Sequence, residues 1–395
     1  MTKSMLRVGL IGANPDKGWG SAVHVPVLGH LDGFALTAVA TTREDSARRS
    51  AAQFGARHHF TDPAELAACP EVDLVTIAVK APDHHRMAMI ALEAGKHVYC
   101  EWPLAANLVE AEEMASLARR KGVQALVGLQ SRGAPPLLEA RRRLTEGYVG
   151  TPIAVRMTCA LPGGGARRSA EGLYVIDRKN GASTLAIQGG HAIDALRFCA
   201  GEIRDISAMI DNHFRQVEVI ETGERRPKDA PDQILGAGHL DDGVPWSVAI
   251  HGGVVAGHHI SLTIFGEEGT IALGWEGPLN FQMSELWLRG GRKGQKVLEP
   301  LQSGDWDPKV IPDGFKGASP YPGVEVPRAT LVNVANLYLR LGTAIHGGAA
   351  DYPSFETGLG LHRILDAFQA ASDTGLRQFT TSAIPDATEH EVASL

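Results

Sequence analysis

Short apolar runs alternate with helix-patterned segments along the first third of the chain, and that alternation narrows the fold more than any other feature. Runs of strand length cover Leu6 to Ile11, Ala35 to Ala40, Asp73 to Val79, His97 to Cys100 and Gln124 to Leu129. Asp62 and Pro63, followed by Glu65, supply an N-cap, a favoured first-turn proline and a first-turn acid. Asp83 stands ready to cap the next helix, in which Met87, Ile90, Ala91 and Ala94 recur at three- and four-residue spacing before Gly95. Asn107 opens a further helix with Glu110 at the capping-box position, and Gly122 ends it. Connections of a few residues return each crossover to the same end of the sheet, so the strands pair in parallel. Residues 1–132 are therefore predicted to form a doubly wound α/β domain of the Rossmann type.

In such a sheet the ligand sits beyond the carboxyl ends of the strands. Gly12 to Gly20, Thr41 to Arg43, Val79 to Asp83 and Glu101 to Pro103 become the walls of one crevice. The first turn reads G-L-I-G-A-N-P-D-K-G-W-G, with Asn14 and Lys17 where a G-x-G-x-x-G motif has its second and third glycines. Context compensates: Gly12, Asn14, Gly18 and Trp19 lie in a turn that opens a helix inside a βαβ unit, offering backbone N–H groups and a positive helix end to a pyrophosphate. Lys17 adds a charge. The second strand ends in Thr41, Thr42 and Arg43, with no acid for a ribose 2′-hydroxyl, and hydroxyls beside a guanidinium suit a 2′-phosphate. NADP(H) is the expected cofactor, with NAD(H) as the alternative.

The length, 395 residues, exceeds one ordinary core, and the second half reads differently. Strand-like runs follow one another at Ile153 to Cys159, Arg204 to Asp211, Ile234 to Leu240, Trp246 to His251, His259 to Phe265, Thr270 to Gly274 and Glu285 to Leu288. Turns such as L-D-D-G-V-P join them, which predicts a mainly antiparallel sheet with helices on one face. This α+β domain is assigned to residues 133–379, with a long excursion at 290–325 and a tail at 380–395.

The net charge of −7 excludes a phosphate-backbone partner, since nucleic-acid binding draws on a basic surplus. Arg141, Arg142 and Arg143 read as a solvated helix face. The four cysteines are widely spaced with no C-x-x-C pair, giving neither a zinc site nor a disulfide framework. No stretch approaches 18 uninterrupted apolar residues and the N-terminus carries no long apolar segment, so a cytoplasmic protein without a membrane partner is expected.

Residues 93 to 104, E-A-G-K-H-V-Y-C-E-W-P-L, resemble the A-G-K-H-V-x-x-E-K-P motif of the glucose-fructose oxidoreductase, inositol dehydrogenase and MocA family. G-G-H-A-I-D at 189 to 194, F-G-E-E-G-T-I near 268 and P-S-F-E-T-G from Pro353 extend the likeness. It implies an open C-terminal sheet whose free face packs on another subunit, in a homodimer or homotetramer. It also implies a catalytic group made of the Lys of E-K-P with an Asp and a His of the second domain. Here Trp102 holds the Lys position and Ile187 the Asp position, while Gly189, His191 and Asp194 match. An indole cannot shuttle a proton as an ammonium can. N-P-D-K-G-W-G, V-H-V-P, E-W-P-L and L-Q-S-R-G at 129 to 133 resemble the branch of the family that contains the yeast galactose-regulon repressor, which lacks the same two residues.

His191 is the expected catalytic acid or base. Asp194, three residues on along one helix face, either orients it or makes an interdomain pair. Lys80 replaces the lost base if burial lowers its pKa, or else is a solvated cation. Tyr174 donates a phenol to substrate or simply packs. Trp102 stacks on a sugar or nicotinamide face, or fills the space of the missing Lys. Val79, His84, Glu101, Pro103 and Gln130 complete the expected cofactor wall. Two functions fit: an NAD(P)-dependent oxidoreductase transferring a hydride to or from a carbinol or carbonyl carbon of a sugar-like, polyhydroxylated substrate, or a cofactor-loaded regulator acting through a protein partner without turnover.

Overall fold

The computed structural model describes residues 4–319 and 325–380. Six strands, β1 (Leu6–Ile11), β2 (Phe34–Ala40), β3 (His58–Phe60), β4 (Leu74–Ile77), β5 (His97–Glu101) and β6 (Ala125–Gly128), form one sheet in the order β3-β2-β1-β4-β5-β6. Every pairing is parallel. The order reverses between β1 and β4, the switch point where doubly wound sheets open a ligand crevice. Helices α1 (Val25–His30), α2 (Glu44–Phe54), α3 (Pro63–Ala68), α4 (His84–Glu93) and α5 (Leu108–Lys121) cover the two faces, which is why β1, β4 and β6 are apolar along almost their whole length.

The helix starts follow the sequence at Asp62, whose side chain accepts from Ala64 N, and at Asn107, whose side chain accepts from Glu110 N. Glu110 reaches back one residue further than a capping box requires, to Ala106 N. Asp83 is a correction. A 3₁₀ turn, Ala81–Asp83, runs straight into α4, leaving Asp83 in helical conformation with no capping bond. The strand β3 also escaped prediction, because His58 and His59 interrupt any apolar run and only one neighbour, β2, pairs with it.

In the second domain, β7 (Pro152–Ala160), β9 (Ile203–Asp211), β12 (Gln233–Leu240), β13 (Pro245–His251), β14 (His259–Gly266), β15 (Gly269–Glu276), β16 (Trp287–Arg292), β17 (Glu299–Pro300) and β18 (Gln378–Phe379) build a nine-stranded sheet. Its order is β17-β16-β15-β14-β7-β13-β12-β9-β18, antiparallel except where β13 meets β7. A small second sheet joins β8 (Arg167–Arg168), β10 (Gln216–Val219) and β11 (Arg225–Pro227). Helices α6 (Pro135–Thr145), α7 (Gly190–Ala200) and α9 (Phe355–Thr374) lie on one face of the large sheet. On the other face Met209 and Leu235 remain 60% and 39% exposed, whereas Ile234 beside Leu235 is fully buried. That is the period-2 signature of a sheet with one covered side.

Helix α8 (Arg328–Ile345) crosses back to the first domain: Leu331, Val334, Leu337, Tyr338 and Leu341 pack with Leu6, Val8, Tyr99 and Leu126 in one buried cluster. The sequence boundary at 132/133 thus falls in a 3₁₀ turn, Gln130–Gly133, that α8 embraces from the far side. Arg141, Arg142 and Arg143 are neutralised by Asp351, Glu139 and Glu146. All four cysteines are free thiols. Among the described residues no helix is long and apolar enough to cross a membrane. Of the proposed tail, Thr380 bonds to Arg204 O at the end of the sheet, and 381–395 lie outside the described residues.

Candidate active site

The carboxyl ends of β1, β4, β5 and β6 share one edge of the parallel sheet, and each is tied to the second domain. Lys17 of the first turn pairs with Glu171 Oε2 at 2.8 Å, and Lys80, after β4, donates to Glu171 O at 2.9 Å. After β5, Trp102 Nε1 donates to Ala186 O at 2.8 Å. After β6, Arg132 clasps Asp194. A covering segment that includes Glu171 and Tyr174 therefore roofs the crevice, and the helical turn Leu185–Gly189 with the start of α7 makes its far wall.

Gly12 turns left-handed at φ 97°, and a Cβ there would lie 2.4 Å from Ala78 O, so only glycine fits between β1 and β4. Gly18 turns likewise at φ 100° and has open space where a Cβ would point. Asn14 closes an Asx turn on Asp16 N, 2.9 Å away, and its carbonyl holds Ser21. The helix that follows, a π turn Gly20–His24 leading into α1, has no side-chain cap at Trp19, and Trp19 Nε1 is buried without a partner. Backbone N–H groups at a helix start without a side-chain cap and a glycine floor make a donor-rich cradle that fits a pyrophosphate.

At the end of β2, the Thr41 hydroxyl is engaged by Ser46 at 2.6 Å, while Thr42 and Arg43 are exposed. Arg43 forms no ion pair among the described residues. Arg49, which sequence reading overlooked, holds Asp16 through two bonds of 3.0 and 2.8 Å, and that pairing is the main cause of the lowered Asp16 pKa. Asp16 is thus held by Arg49 and Glu44 by His59, and Arg43 stays available to an anion.

Several expected residues do other work. Trp102 is 6% exposed, with its ring against His362 at 5.0 Å, which leaves little ring face for a ligand, and its bond to Ala186 O fastens the two domains. This also explains Gly190, since a Cβ there would fall 2.5 Å from Trp102 Nε1. His84 is buried with Nδ1 2.7 Å from Pro103 O and Nε2 3.1 Å from Val79 O, bracing the two loops. Glu101 is held by His24 Nε2 at 2.9 Å and by Gln130, and His24 leads on through Tyr338 to Thr76. Glu101 and Gln130 therefore belong to a buried polar relay beneath the crevice floor.

Asp194 does not orient His191. It is wholly buried, and its carboxylate takes the Arg132 guanidinium at 2.6, 2.9 and 3.1 Å. Arg132 is 62 positions away and carried no local signal. Lys80 is exposed, so the desolvation that a lysine base needs is missing; its ammonium lies 5.2 Å from the Tyr174 ring centroid. Burial raises the Tyr174 phenol above its ordinary value, keeping it a proton donor at neutral pH. His191 is 4% exposed, and burial pushes its imidazole down to about 4. Its Nδ1 is buried without a partner. Ile187 is partly buried one turn before His191.

Two family models match in succession: residues 6–129 match the oxidoreductase family with NAD-binding Rossmann fold, and 135–274 match the C-terminal domain of Gal80p. The dehydrogenase aclE of Aspergillus oryzae is 30% identical over 269 residues, 67% of this chain and 68% of its own. The chain belongs to the Gfo/Idh/MocA oxidoreductase family. Within that family, the galactose/lactose metabolism regulatory protein GAL80 of Saccharomyces cerevisiae is 29% identical over 328 residues, covering 77% of this chain and 74% of GAL80. Levoglucosan dehydrogenase of Pseudarthrobacter phenanthrenivorans is 23% identical over 295 residues, 70% and 76% of the two chains. A solved levoglucosan dehydrogenase in complex with NADH and levoglucosan shares the fold at a TM-score of 0.79, with 21% identity, covering 95% of this chain and all of the other.

Proposed function

We propose that this family member is an NADP(H)-dependent oxidoreductase, cytoplasmic, that interconverts a carbinol and a carbonyl on a sugar-like, polyhydroxylated substrate. The observation that carries the reading is His191, buried, neutral and without a hydrogen-bond partner for Nδ1, at the start of α7 beside the Trp102 wall. The coenzyme, when bound, supplies the hydride donor or acceptor. The protein must then orient the carbinol and handle one proton. A hydroxyl proton becomes strongly acidic as hydride leaves its carbon, so an imidazole of depressed pKa suffices to take it; in the reverse direction the same imidazolium is a strong acid. Tyr174, kept protonated, is placed to donate to a substrate oxygen. Sugar substrates are named for relatives such as levoglucosan dehydrogenase, which supports the substrate class.

The choice of NADP(H) rests on Arg43. Arg43→Ala is expected to weaken NADPH about 10- to 100-fold, the worth of a charge-assisted pair, and NADH little. Calorimetric Kd values for both coenzymes check this, and equal weakening of the two would remove the case for a 2′-phosphate.

A second reading keeps the coenzyme and drops the turnover. Trp102 and Ile187 replace both other proton-handling groups of the family, and GAL80 is a regulator by name. In that case the protein acts through a protein partner. Incubating it with NADP⁺ or NADPH and a panel of sugars and ketones, while following the reduced nicotinamide absorbance, separates the two; tight coenzyme binding with no change across the panel supports the regulator.

The exposed face of the nine-stranded sheet, with Met209 and Leu235, is assigned to a second copy of this chain. Met209→Glu combined with Leu235→Glu is expected to yield monomer, read by light scattering. A wild-type protein already monomeric at micromolar concentration would contradict this.

A further inference from the structure

The cations around the crevice are mostly accounted for. Lys17 is paired with Glu171, Arg132 with Asp194, and Lys228 with Asp232 at 2.6 Å. Arg168 is not. It stands on β8 beside Arg167, which pairs with Glu218 at 3.2 Å, yet the Arg168 guanidinium has no carboxylate within 4.0 Å and no hydrogen bond among the described residues. It is only partly exposed, and burial depresses its pKa, so water does not fully replace the missing partner.

Geometry gives that charge a direction. The side chain runs past Gly172, where Cδ lies 3.8 Å from a Cβ position, to Gly163. A Cβ on Gly163 would meet Gln188 Nε2 at 2.1 Å and Arg168 Nη2 at 3.9 Å, so the ends of the two side chains converge over this glycine. Gln188 Oε1 is itself buried without a partner. Gln188 sits on the π turn Leu185–Gly189, directly after Ile187 and three residues before His191. Tyr174 lies near enough to Arg168 for each to perturb the other's ionisation, and Lys80, also without a carboxylate partner among the described residues, lies over its ring. A guanidinium without a partner, an ammonium without a carboxylate, a protonated phenol and an amide with an orphan oxygen thus lie close together under the covering segment, and the amide stands three residues before His191.

We propose that Arg168 is a specificity-determining residue for an anionic substrate, a sugar acid of the aldonate or uronate class, and this rests on the oxidoreductase reading above. The carboxylate takes the two parallel N–H bonds of the Arg168 fork, Gln188 Nε2 donates alongside, and Gln188 Oε1 accepts from a neighbouring hydroxyl. The carbinol to be oxidised is then presented towards His191. The neutral hydrophobic Ile187 adds no negative charge to oppose an acid in this wall, and the carboxylate that Tyr174 does feel, Glu171, is already paired with Lys17.

Calorimetry on NADP⁺-loaded protein with D-gluconate, D-glucuronate, D-glucose and myo-inositol tests the proposal without requiring turnover. At least one acid is expected to bind ten times or more tighter than both neutral compounds, and Arg168→Gln to weaken it about 100-fold, the worth of a charge-assisted bidentate pair. The same substitution is expected to leave NADP⁺ binding and the thermal midpoint unchanged, and Arg168→Lys to restore part of the acid affinity. Neutral sugars binding as well as the acids, or none of the four binding while NADP⁺ does, overturns the anionic-substrate proposal alone. A parallel loss of NADP⁺ affinity in Arg168→Gln places the guanidinium on a coenzyme phosphate and also overturns it. Failure of the wild-type protein to bind NADP⁺ at all would instead overturn the reading beneath it.

Discussion

His191→Ala is expected to lower kcat by about two to four orders of magnitude while leaving the coenzyme Kd and the thermal midpoint nearly unchanged. The magnitude is that of a lost general acid–base group, and the two other buried histidines nearby are engaged: the His84 ring lies between the Pro103 and Val79 carbonyls and donates to one of them, and His362 packs on Trp102 and accepts from Ala105 N. With its imidazole held at about 4 rather than 6.5, His191 stays neutral through the physiological range. Carbinol oxidation is therefore expected to keep its full rate down to about pH 5 and to fall only as the ring protonates below that. A rate that declines between pH 7 and 6 would mean that the ring is solvated and ordinary. Loss of coenzyme binding in His191→Ala would place the residue among the packing groups of α7.

Arg132→Met is expected to destabilise the protein by about 3–5 kcal/mol, since it leaves the wholly buried Asp194 carboxylate without its counter-ion. The pair joins the turn after β6 to α7, so the damage should fall on the docking of the two domains. Urea unfolding measures it. Arg132→Met combined with Asp194→Leu removes both charges and should recover most of the loss, because the desolvation cost leaves with them. If the double variant is as unstable as the single one, packing at Phe198, whose ring lies 5.0 Å from the Arg132 guanidinium, matters more than charge. Asp194→Asn, which keeps the shape, should alter stability before it alters the pH dependence of turnover.

These two residues mark how far the sequence could be read. Five of the six parallel strands were legible because they are mostly apolar and the helices between them are punctuated by Asp62, Asn107 and Gly122, whose effects are local. The antiparallel strands were legible for the same reason, through alternation and short turns. Contacts between distant segments left no such trace. Nothing in L-Q-S-R-G announces that Arg132 meets Asp194, and nothing around Glu171 announces that it receives both Lys17 and Lys80. Helix α8 shows an apolar face but not which sheet that face covers. Trp102 and Lys80 were each open to two readings that turn on burial, which the sequence does not carry: the ring is enclosed and the ammonium is not. The left-handed Gly12 and the uncapped helix after it give the loop a physical basis that its imperfect glycine spacing did not.

The account depends on that loop receiving a pyrophosphate. Purified, folded protein, stripped of any carried-over nucleotide by passage through a partially denaturing wash and refolded to its native melting profile, should take up one NADPH per chain in a calorimetric titration, and Gly12→Val should abolish the uptake. No heat of binding with either NADPH or NADH, in protein that still unfolds cooperatively, would contradict it.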